Sequence, residues 1–178
     1  MKKALFLLLV LLATAMMPAF GGAQEFLREY PRTETLWVLP QGGVIKEDTY
    51  TVHLRAGRNT FHLAHPDEGI DPRLVEFSLE EGRLLRLFYD TENRATFTVH
   101  AERDMTTCIH LRYPVSSLAT QFLYQVVENE PSFSVQVFLH LENHGLSSYE
   151  NARLRVFDRE FPLTLPPQGT QSICVATL

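Results

Sequence analysis

Polar and apolar residues alternate over short stretches through most of this chain, and turn residues interrupt the alternation at intervals of roughly 8 to 12 residues. A period of two is the signature of a half-buried strand, so the pattern predicts strands throughout. Folding Thr49 to Ala64 about Ala56-Gly57-Arg58-Asn59 gives a hairpin that pairs Leu54 with Phe61 and Val52 with Leu63 on a greasy face, and His53 with His62 on a wet one. Leu74 to Leu79, Leu84 to Tyr89 and Ala95 to His100 follow as a predicted meander. Ile109, Leu111 and Tyr113 share one face of a strand that Pro114 ends or places at an edge, because proline has no N–H to give the ladder. Phe122 to Val127 is another strand. Phe133, Val135, Val137, Leu139 and Leu141 form the longest strict alternation in the chain, which predicts a central strand. Ala152 to Phe157, Phe161 to Leu165 and Ser172 to Thr177 complete the set, with room for a short helix around Ser147 to Asn151. The fold class is all-β, an antiparallel β-sandwich.

The first residues do not fit that pattern. Met1-Lys2-Lys3 is a short cationic start, Ala4 to Met17 carries no charge, and Pro18 to Ala23 is a small-residue exit. That is the layout of a secretory signal peptide over 1–23. The apolar run would reach only about 21 Å as a helix, against roughly 30 Å of bilayer hydrocarbon, so a retained anchor fits poorly. Gly21 and Ala23 favour cleavage before Gln24, and the expected compartment is periplasmic or extracellular. Nothing later in the sequence approaches a membrane-spanning length. A net charge of −5, which loss of Lys2 and Lys3 takes to −7, argues against nucleic acid and anionic lipid as partners. The rest satisfies either one continuous sandwich or two small β-units, 24–101 and 102–178, joined near Ala101-Glu102-Arg103-Asp104.

Several short segments resemble a known family. Thr35-Leu36-Trp37-Val38, Gly43 to Glu47, Leu54 to Thr60 and Gly69-Ile70-Asp71-Pro72 are similar to the N-terminal segment of the bacterial mucoidy-inhibitor-A-like proteins. Leu111 to Val115, Tyr124, Leu141-Glu142-Asn143, Tyr149 to Leu154 and Leu165 to Gly169 are similar to that family's core domain of unknown function. Thr120 stands where the family usually has tryptophan, and the chain is much shorter than its usual members. The resemblance implies export and a β-sandwich, favours two units because the similar segments lie on either side of 101–104, and supplies no catalytic residues.

Candidate chemistry is sparse. Cys108 and Cys174 both lie on predicted strands of a chain expected in an oxidising space, so a disulfide and a pair of unpaired small core residues both fit. The predicted register puts His53 beside His62, with His65 three residues on, which makes at best a weak zinc or copper site against the alternative of solvated cross-strand histidines. Asp67, Glu68 and Asp71 crowd a loop without the ligand spacing of a calcium site, and there is no Gly-x-Ser-x-Gly or phosphate-binding loop. No cofactor is implied. Two function classes remain. One is a non-enzymatic envelope protein that binds another exported protein or a surface polymer, which predicts an exposed unpaired edge or apolar patch. The other is a small metal-dependent or hydrolytic enzyme, which predicts that His53, His62 and a further ligand converge.

Overall fold

The structure, a computed structural model, describes residues 25–30, 32–63, 72–89 and 94–178. The expected signal peptide, His65 and the Asp67-Glu68-Asp71 loop lie outside these residues. Thirteen strands follow in order: β1 Glu25–Phe26, β2 Arg32–Val38, β3 Val44–Leu54, β4 Gly57–Leu63, β5 Glu76–Leu79, β6 Arg83–Tyr89, β7 Ala95–Ala101, β8 Met105–Val115, β9 Leu118–Asn129, β10 Ser132–Asn143, β11 Tyr149–Val156, β12 Arg159–Leu165 and β13 Thr170–Thr177. The described helical structure is two three-residue 3₁₀ turns, Leu27–Glu29 and Pro72–Leu74. The short helix expected near 147–151 is absent, and β11 begins there instead.

The strands form three sheets. A six-stranded sheet runs β12-β11-β2-β3-β8-β5, a four-stranded sheet β1-β4-β7-β6, and a three-stranded sheet β13-β10-β9. Pairing is antiparallel except for β1 with β4 and β2 with β11. The six-stranded sheet has one apolar face: Leu36 and Val38 of β2, Val52 and Leu54 of β3, Ile109 and Leu111 of β8, and Leu154 and Val156 of β11 are all buried. The smaller sheets cover that face. Phe77 of β5 stacks on Phe97 of β7 at 4.6 Å between ring centres, and Arg159 at the start of β12 donates to the Val175 carbonyl of β13 at 2.7 Å. The buried residues make one hydrophobic cluster drawn from all three sheets.

This arrangement corrects three expectations. The proposed boundary at 101/102 does not divide two independent units, because β2, β3 and β5 share a sheet with β8, β11 and β12. The charged break Glu102-Arg103-Asp104 is a corner where the chain passes from the four-stranded to the six-stranded sheet. It lies against the corner between β3 and β4, where Asp104 Oδ1 accepts from the Ala56 N–H at 2.7 Å. Nor do β3 and β4 pair with each other: β3 lies between β2 and β8, and β4 between β1 and β7. At that corner Asn59 accepts from the Arg55 N–H and donates to its carbonyl, and Gly57 takes φ +100°, a left-handed conformation that glycine adopts without a Cβ clash. The apolar faces of β3 and β4 meet across the core, so the alternation is satisfied by stacking rather than by a shared ladder. The predicted meander is divided in the same way, with β5 in the six-stranded sheet and β6 and β7 in the four-stranded one.

Candidate interaction surface

β9 and β10 are paired over their whole length, from Leu118↔Asn143 to Asn129↔Ser132. Directly opposed residues share a face, so Leu118, Phe122, Tyr124 and Val126 line up with Asn143, Leu139, Val137 and Val135. Near the body of the protein this face is core: Leu118, Val137, Leu139 and Leu141 are buried. Towards the hairpin tip the same face runs on beyond whatever covers it. Tyr124 is 70% exposed, Val126 67% and Phe133 72%, and Leu178, which exchanges both backbone hydrogen bonds with Val135, is 78% exposed.

Among the described residues β9 pairs only with β10, so its outer side is an open sheet edge. From Leu118 to Val127 that edge carries no charged residue and no proline, the features by which edge strands are usually kept from pairing with other chains. The aromatic strip continues along it into the body, where Phe122 stacks on the exposed ring of Phe157 at 5.7 Å. An edge with free backbone groups thus adjoins an uncovered apolar face. That combination suits strand addition from another polypeptide, in which the ladder supplies affinity and the side chains specificity.

A second notable cluster is internal. Lys46 and Asp48 of β3 occupy inward positions, 1% and 2% exposed, where the alternation calls for apolar residues. Lys46 Nζ lies 3.1 Å from Glu34 Oε1 and 3.7 Å from Asp48 Oδ1, with the rings of Tyr113 and Tyr149 beside it. Asp48 Oδ2 accepts from the Tyr113 hydroxyl, and Arg32 pairs with Glu34. Burial raises the Asp48 pKa above its ordinary value, with Lys46, the Tyr113 hydroxyl and Arg32 pulling the other way. Burial also raises Tyr50, reinforced by the Asp48 charge. Burial opposes the charge on Arg32, but Asp48 and Glu34 more than offset it and its pKa is raised. The charges answer one another, and the cluster reads as a polar element of the core. The signal for it was in the sequence: opposite charges two apart, at the inward parity of β3.

The outer face of the six-stranded sheet is polar. Trp37, the single tryptophan, lies there between β3 and β11, with the Arg155 guanidinium 4.4 Å and that of Arg112 5.3 Å from its ring. Arg112 in turn pairs with Glu47 at 3.0 Å.

The histidines expected to meet do not. His53 is on the outer face of β3, with Nδ1 3.4 Å from Thr106 Oγ1. His62 is on β4 in another sheet, with Nδ1 3.0 Å from Thr96 Oγ1 and its ring against Phe26. The cause is the corner between β3 and β4. Among the described residues no group of three or more His, Cys, Asp and Glu is placed to hold a metal ion.

The cysteines are free. Cys108 shares the outward face of β8 with His110, opposite Thr51, while Cys174 shares the outward face of the three-stranded sheet with Phe138. Side chains that point away from the core on two packed layers cannot close a disulfide, whose Cα atoms must lie within about 7 Å. Neither cysteine is the small core residue of the alternative expectation.

Comparison of the chain with protein families, with curated proteins and with solved structures finds no match. No helix among the described residues is long and apolar enough to cross a membrane. The fold is all-β and sandwich-like.

Proposed function

We propose that this chain is a non-enzymatic interaction module of the bacterial envelope, exported by its N-terminal segment, which engages a polypeptide partner through the β9 edge and the apolar face beside it. One observation carries this reading: Tyr124, Val126, Phe133 and Leu178 continue the core face of the three-stranded sheet into solvent, next to the Leu118 to Val127 edge, which has no charge and no proline. Large rings left uncovered on a monomer mark contact sites, and a strand edge of this composition invites a partner strand. The separation of His53 from His62 takes away the constellation on which the enzymatic alternative was built. The similarity to the mucoidy-inhibitor-A-like proteins, with its implied export and sandwich, belongs to the same proposal.

The test is photo-crosslinking in the cell of origin, with a crosslinking amino acid at Tyr124, Val126 or Phe133 and control positions at Arg103 and Glu150, which are exposed elsewhere. The expected result is one protein adduct of constant mass from all three face positions, none from the controls, and loss of the Val126 adduct when Phe133→Lys is added. No adduct, or equal adducts from the control positions, would overturn the proposal.

A further inference from the structure

We infer that the occupant of the β9 edge is a second copy of this chain, added antiparallel so that two three-stranded sheets become one of six strands; the inference rests on the interaction-surface reading above. The edge is self-complementary. A two-fold axis through Leu123 sets Gln121 opposite the partner's Gln125, Phe122 opposite the partner's Tyr124 and Thr120 opposite the partner's Val126. This register keeps Leu118, Phe122, Tyr124 and Val126 of both copies on the inner face. No like charges are opposed, because 118–127 is uncharged and Glu128 falls opposite the partner's Leu118. An acidic chain has few surfaces on which a copy of itself can sit without repulsion, and this stretch is one.

The geometry also covers what the monomer leaves bare. Tyr124 and Val126 project past the body, whereas Phe122 and the exposed Phe157 flank the body end of the same edge. In the two-fold arrangement each overhang lies along the other's flank, so the partner's Tyr124 arrives beside Phe122 and Phe157. At about 70% exposed, Tyr124 and Phe133 together present roughly 200–350 Å² per chain, taking 150–250 Å² for a whole aromatic side chain. Two chains thus bring roughly 400–700 Å² of aromatic surface, with Val126 and the paired backbone added, which is the size of a weak interface below about 1,200 Å².

The experiment is sedimentation velocity on the whole chain from about 1 µM to about 100 µM, a span that brackets micromolar pairing. The expected species is a dimer. Tyr124→Lys with Val126→Lys should weaken it at least roughly tenfold, since each ammonium would have to leave water. Both positions are exposed, so at a concentration where the parent is monomeric the urea midpoints of parent and Tyr124→Lys/Val126→Lys should agree, which separates lost pairing from lost folding. Leu123→Cys, in a chain with Cys108→Ser and Cys174→Ser, should give a disulfide-linked dimer on mild oxidation. A monomer throughout the range, or a dimer that the lysines leave intact, would overturn the inference. The crosslinking experiment distinguishes the two claims: an adduct of twice the chain mass supports self-pairing, an adduct with a different protein removes it while the interaction surface stands, and no adduct removes both.

Discussion

Lys46 provides a sharp test of the account of the core. Its ammonium is buried 3.1 Å from Glu34 and 3.7 Å from Asp48. At an effective dielectric constant of 20 these separations correspond to attractions of about 5 and about 4.5 kcal/mol, before the cost of desolvating the three groups is set against them. Lys46→Met keeps most of the stem that packs beside Tyr113 and Tyr149 but removes the charge. Asp48, 2% exposed, is then left with Arg32 at 3.9 Å and the Tyr113 hydroxyl. Stranding a buried charge in this way costs about 3–5 kcal/mol. With a slope of about 2 kcal/mol/M, the urea midpoint should fall by about 1.5–2.5 M at pH 7. Burial already holds the folded Asp48 pKa above 3.8, and loss of Lys46 raises it further. Between the two folded values the variant binds a proton that the parent does not, so its deficit should shrink as pH falls, by up to about 1.4 kcal/mol per unit. Adding Asp48→Asn should restore at least half of the loss at pH 7. A cost for Lys46→Met below about 1 kcal/mol, or one that grows on acidification, would refute the view of Lys46 as the counter-charge that makes Asp48 tolerable in the core.

Three further outcomes are expected. Phe133→Lys should leave the unfolding free energy of the monomer within about 0.5 kcal/mol of the parent, because the ring is 72% exposed; a loss above about 2 kcal/mol would mean that it is part of the core. Mass spectrometry of the unreduced protein should show two alkylatable thiols, with exposed Cys174 reacting faster than half-buried Cys108, and reductant should not change the count. Gly82→Ala should cost more than about 1 kcal/mol in chemical denaturation, since Gly82 has φ +101° and a Cβ would meet the His100 carbonyl oxygen at 3.2 Å and Leu79 at 3.1 Å. A neutral result would show that the turn between β5 and β6 relaxes freely.

What the sequence shows plainly is which residues share a face. Val135, Val137, Leu139 and Leu141 mark β10, and it is the central strand of its sheet. Pro114 lies beyond the end of β5 at the Glu76↔Arg112 pair, where β8 keeps a partner only on the β3 side, as a missing N–H requires. Partners are harder to read than faces. A tight connection such as Leu54 to Gly57 is equally a hairpin turn and a corner between sheets, and the alternation of β3 and β4 fits both. The decision lies in packing of residues far apart in the chain, and it carried the His53–His62 pairing away with it. The interaction surface was half legible. Phe122, Tyr124 and Phe133 sit at inward parity and look like core; only the three-dimensional extent of the other layers shows that cover ends before Tyr124. Lys46 and Asp48 show the reverse, charged residues that the parity places inside and the fold accepts as a set.

The six-stranded sheet is assembled from the two ends of the chain, since Thr35 of β2 lies beside Arg153 of β11, 118 positions later. Pairings this remote in sequence give high contact order, so loop closure comes first and folding is slow. During synthesis β2 and β3 must wait for β8 and β11 before either has both of its neighbours. Local hairpins such as β9 with β10 can form early, but the six-stranded sheet cannot close during translation until β11 has emerged, and a fragment ending before residue 149 should not reach the native state. A protein that had to cross a membrane before folding would gain from such a delay.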